Sequence, residues 1–191
     1  MRKALVLLLL GTITALLVIS LPGCGQSSED KALKYINRGD GYAYQMSGEA
    51  EKLSNVLDNF FTTLQGPNPE AVASPGGPID QVSSALANVN SLASSTKAEY
   101  QGVLSLKGVE EEKEYATMMM DVADKTSGLM GVIEGWFNKV LEVLATMDAR
   151  KIRAYLTGDE FKAGLAEIDG LRAEIEKIAG EARSYRLERD F

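Results

Sequence analysis

Between Glu110 and Asp148 apolar residues recur at alternating steps of four and three: Tyr115, Met119, Val122, Thr126, Leu129, Ile133, Trp136, Val140, Val143 and Met147. A second column runs beside them through Ala116, Ala123, Met130, Phe137 and Leu144. A face this wide suits a core helix touching two neighbours, and exceeds a two-stranded coiled-coil seam. No proline interrupts it. At 1.5 Å per residue the helix would be roughly 55–60 Å long. A chain carrying such a segment must supply other helices to cover it.

It does so three times. Ala32, Ile36, Gly39, Ala43, Met46, Ala50, Leu53, Leu57, Phe60 and Leu64 mark a helix over about 29–64. Its phase survives Arg38-Gly39-Asp40-Gly41, where two glycines at about 1 kcal/mol each leave room for a kink. Arg38-Gly39-Asp40 is also the tripeptide displayed by adhesive loops, but here it lies inside a helical pattern. Residues 65–77 hold three Pro and three Gly and read as a loop. Pro78 opens a second helix, 78–105, whose outer face is rich in Ser and Asn. The Glu110 helix, 110–148, comes third. Arg150 to Leu156 is a basic, partly apolar connector, either the frayed end of the third helix or a turn of its own, and Thr157-Gly158-Asp159-Glu160 reads as a capping box for a last helix over 158–187. With no alternating strand signal, the expected fold class is all-α, an antiparallel up-down-up-down four-helix bundle.

The N-terminus is a separate object. Arg2 and Lys3 precede an apolar run from Ala4 to Leu21, followed by Leu21-Pro22-Gly23-Cys24. A charged start, an apolar core and a small residue describe a secretory signal. The run is also about the minimum length for a membrane span, but it closes on the only cysteine of the chain. This segment resembles the signal peptide of a bacterial lipoprotein. Leu21 and Gly23 match the family's box, and Pro22 stands where Ala, Ser, Thr or Val is usual. The resemblance covers residues 1–24. It implies cleavage between Gly23 and Cys24, with Cys24 lipidated by a thioether-linked diacylglycerol and an N-acyl chain such as palmitate. Two or three acyl chains give stable anchoring. The expected organisation is then 1–23 signal peptide, 24–28 tether and 29–191 helical body. The expected location is the extracytoplasmic face of a membrane; Gly25 after the cysteine, in place of an Asp retention signal, favours an outer membrane where the organism has one.

Residue types exclude much chemistry. A lone cysteine allows no intrachain disulfide, and the chain has no histidine. Ser-His-Asp and Cys-His catalysis and His-bearing metal sites are therefore absent. Processing would remove two cations and no acid, taking 20 Lys+Arg against 27 Asp+Glu to 18 against 27, a formal charge of −9. An acidic surface disfavours nucleic acid. Met118-Met119-Met120 invites soft-metal binding, yet consecutive helical positions diverge by about 100° and cannot converge on one ion. Glu110, Glu111, Glu112 and Glu114 suit the start of a helix dipole better than a cation site. No catalytic residue, metal or cofactor is expected. The partners expected are the lipid membrane, through Cys24, and an envelope protein bound by a scaffolding module. The alternative is a bundle sensing or carrying a small molecule or ion, with Thr126 or the Ser/Asn face of the second helix lining a pocket.

Overall fold

The structure is a computed structural model and describes residues 27–191. The box with Gly23 and Cys24 lies outside the described residues. Within them the chain is all-helical, with five α-helices and one 3-10 turn: α1 (Ser28–Leu64), the 3-10 turn Pro69–Ala73, α2 (Pro78–Leu104), α3 (Glu110–Ala145), α4 (Ala149–Thr157) and α5 (Asp159–Arg189). None of these helices is long and apolar enough to cross a membrane.

Each long helix lies antiparallel to the next. Tyr35 meets Gly102 and Gly39 meets Tyr100 across α1 and α2. Lys97 bonds Asp124 across α2 and α3, and Lys125 reaches Glu174 across α3 and α5. α3 is the central element, packed against α2, α5, α1 and α4. Its stripe from Tyr115 to Val140 is buried, as the heptad requires. The backbone of α5 stays clear of α1 and α2, and only Ala182 of its 31 residues is fully buried.

Local rules explain the ends. Ser27 caps α1 with a reciprocal box: its hydroxyl accepts from Asp30 N at 3.0 Å, while Asp30 accepts from Ser27 N at 3.2 Å. α1 runs unbroken through Gly39 and Gly41. Gly39 is required by close approach, because a Cβ there would fall 2.7 Å from Tyr100 Cζ.

The third helix departs from expectation. It stops at Ala145, short of 148, and the connector is resolved as a helix of its own, residues 149–157, and not as the frayed end of α3. Met147 takes φ +50° and is 92% exposed, so it leaves the stripe that the periodicity assigned to it. The cause is Asp148. Its carboxylate accepts from the backbone N–H groups of Arg150 and Lys151 at 2.9 and 3.3 Å, which nucleates α4 and detaches it from α3. The capping box at Thr157 does not form. Thr157 still belongs to α4, where its hydroxyl donates to Arg153 O, and Gly158 caps α5 without a side chain.

Candidate functional site

The most organised polar site is a buried carboxylate. Asp40 lies one turn after Ile36 on the inner side of α1, and is 9% exposed. Tyr100 of α2 donates its hydroxyl to Asp40 Oδ1 at 2.5 Å. Tyr115 of α3 donates to the same oxygen at 2.6 Å. Arg186 of α5 donates through Nη1 to Oδ2, and its Nη2 reaches Asn37 Oδ1 at 3.3 Å. One carboxylate thus ties all four long helices together.

The surrounding contacts seat the arginine. Its guanidinium lies over the Tyr115 ring, 5.6 Å from the centroid. Its Nε donates to Phe191 O at 2.7 Å, and the Phe191 ring packs edge-on against Tyr115 and Tyr185. Tyr185 donates to Glu114 at 2.9 Å, and Arg189 pairs with Glu111. Burial pushes the Tyr115 hydroxyl up to about 12 and the Tyr100 hydroxyl well above its ordinary value. Both remain protonated donors at neutral pH, as a carboxylate acceptor requires. Burial also lowers the pKa of Arg186. With every carboxylate oxygen engaged by a protein donor, this constellation is a structural clamp. It offers no free base and no open coordination site.

The opposite end of the molecule is aromatic. Phe61, Trp136, Phe161 and Tyr155 stack in sequence, with ring centroids 5.2 to 5.9 Å apart. The Trp136 indole lies against the backbone of Gly164, where a Cβ would collide with it. Trp136 Nε1 and Tyr155 Oη are buried without a hydrogen-bond partner, an arrangement that costs about 1–3 kcal/mol per group.

The other candidates from sequence resolve plainly. Thr126 is buried, and its hydroxyl donates to Val122 O at 2.7 Å, so it offers nothing to a ligand. Ser83, Ser94 and Ser95 likewise turn their hydroxyls back onto their own helix. A shallow open hollow on that side is lined by Glu49, Asn88, Ser91 and Leu92. Among Met118, Met119 and Met120 only the middle one is fully buried. Arg38 pairs with Glu99 while Asp40 faces inward, so the adhesive tripeptide is interior to a helix. No group of three or more acidic or cysteine ligands that could hold a metal occurs among the described residues.

The sequence reading missed Asp40. Its signal was present: position 40 stands four after Ile36, on the column beside the stripe, and a charge there demands partners from facing helices. No protein-family model matches the chain, and neither the curated proteins nor the solved structures gave a match.

Proposed function

We propose that this protein is a membrane-tethered, non-catalytic helical module on the extracytoplasmic face of a bacterial envelope, where it binds or scaffolds another envelope component. In this reading α1, α2, α3 and α5 act as an up-down-up-down bundle, with α4 as a corner piece. The observation that carries it is the position of Cys24, the only cysteine, directly after Leu21-Pro22-Gly23 and three residues before the Ser27 cap. Three peptide steps span at most about 11 Å, so an acylated Cys24 would hold the start of α1 close to the bilayer. The Asp40 clamp supports a scaffolding role, because it fixes the relative positions of four helices without leaving a reactive group.

The test compares the native protein with Cys24→Ser by cell fractionation and in-cell crosslinking with mass spectrometry. The expected result is a native protein in the membrane fraction with reproducible crosslinked partners, and a variant that loses both. A native protein that stays unacylated and soluble overturns the tether. The alternative, a ligand-sensing or carrier bundle, is favoured by the hollow at Glu49, Asn88, Ser91 and Leu92. A stabilising thermal shift with a metal ion or metabolite, abolished by Asn88→Ala, would move the assignment there.

A further inference from the structure

Among the described residues, the cations that stand in no ion pair divide between the two ends of the molecule. Lys31, Lys34, Lys107 and Arg183 are scattered over three elements at the end where α1 begins. Arg150, Lys151 and Arg153 fall within four consecutive positions of α4 at the other end, all exposed and forming no ion pair among the described residues. α4 contains no acidic residue. Its other side, Ile152, Tyr155 and Leu156, is half-buried where the helix packs on α3 and α5, so the cationic face is fixed outward. Most other cations are already neutralised, as in Lys125 with Glu174, Lys139 with Glu160 and Lys97 with Asp124. In a chain of formal charge −7, three adjacent free cations form a local exception.

A second observation falls at the same corner. The buried, unpartnered Trp136 Nε1 and Tyr155 Oη, joined through Phe161, lie on the inner side of α4 beneath its cationic face, where Trp136 can report on changes at this helix. Met147 at φ +50° forms the joint before this helix, a left-handed backbone state that a non-glycine residue rarely adopts.

We propose that the outer face of α4 is a docking surface for a short acidic segment of another envelope protein. This deepens the tethered-module reading and rests on it for orientation: a bilayer at the start of α1 leaves α4 at the far end, facing away from the membrane. Arginine guanidinium groups match carboxylates in a two-pronged geometry. The surface favours a short segment over a long polyanion. α4 is only about 13 Å long, and exposed Glu142 and Asp159 on the flanking helices repel any anionic chain that continues past it.

The experiment uses the full acylated chain in phosphatidylcholine nanodiscs and a fluorescein-labelled Glu-rich peptide, read by anisotropy and by the emission of Trp136, the only tryptophan. Saturable binding that weakens steeply with salt is expected. R150E/K151E/R153E should raise Kd by about tenfold or more, while K31E/K34E should leave it within about twofold; R150A/K151A/R153A, with helicity checked by circular dichroism, repeats the test without charge reversal. Absence of saturable binding overturns the proposal, as does equal loss in the K31E/K34E control. Polyphosphate binding in place of the peptide also overturns it, in favour of a polyanion site. Binding that tracks the α4 charges in a chain that does not partition to membranes would remove the tether and leave the docking surface standing.

Discussion

Asp40 shows how much can depend on one side chain. Removing it as Asp40→Ala leaves the half-buried Arg186 cation and two buried hydroxyls without their acceptor, and the expected loss is about 3–5 kcal/mol. Chemical denaturation monitored by helicity checks it, with Tyr100→Phe expected to cost about 1–2 kcal/mol. The tyrosines add a pH dependence of definite sign. An unfolded tyrosine ionises near 10, whereas Tyr115 in the fold ionises at about 12 and Tyr100 higher than its ordinary value. The folded state therefore holds protons that the unfolded chain releases, and stability falls as pH rises from 10 through 12. Tyrosinate absorbance should show Tyr100 and Tyr115 ionising together with loss of helix. Glycines make a contrasting pair. Gly39→Ala forces the Tyr100 ring aside and weakens the clamp, whereas Gly128→Ala meets nothing within 4 Å and should stabilise the chain by about 0.5–1 kcal/mol. A melting-temperature comparison separates the two. Buried Asp40 was the least legible residue because periodicity ranks positions by hydrophobicity. It is blind to a charge whose partners lie 60, 75 and 146 residues away.

The helices themselves were legible, for a physical reason. Apolar spacing is set by 3.6 residues per turn, and a stripe such as Ile36 to Phe60 or Tyr115 to Val140 allows no other regular structure to bury it. What periodicity does not encode is competition between caps. Val143 and Met147 continue the α3 pattern on paper, yet Asp148 offers its carboxylate to the next two amides and starts α4 instead. Thr157 illustrates the converse: the spacing of a capping box is present, but the hydroxyl is committed to Arg153 O. Asp148→Ala should cost about 1 kcal/mol and increase amide exchange across residues 149–157 far more than across α2, measurable by hydrogen exchange with mass spectrometry. An α4 exchanging no faster in that variant would show that packing against α3 and α5 holds it, with no contribution from the cap.

At the scale of the whole molecule, α1, α2 and α3 form a contiguous body; the backbone of α5 approaches only α3 and α4, and it meets α1 through side chains, Phe161 with Phe61 and Arg186 with Asp40. α5 buries one residue fully, and its attachment combines the half-buried side of Leu165, Ile168, Leu171, Ile175 and Ile178 with the charge links to Glu111, Lys125, Lys139 and Asp40. The all-α class could be read from the chain because every amphipathic segment has period 3.6. The unequal roles of the helices were legible only in part: α5 repeats the spacing of the α1 stripe in a more polar, less amphipathic helix, but how deeply each stripe is covered depends on partners distant in sequence.

The long reach of the clamp also orders events in time. Asp40 is translated early, and its cationic partner follows 146 residues later. Without that partner, a body of α1, α2 and α3 would hold Asp40 against its two tyrosines with no counterion, and desolvating that lone charge opposes its closure. The helices can form as they emerge, and their common end gains its counterion, and with it the full clamp, only once Arg186 has been synthesised.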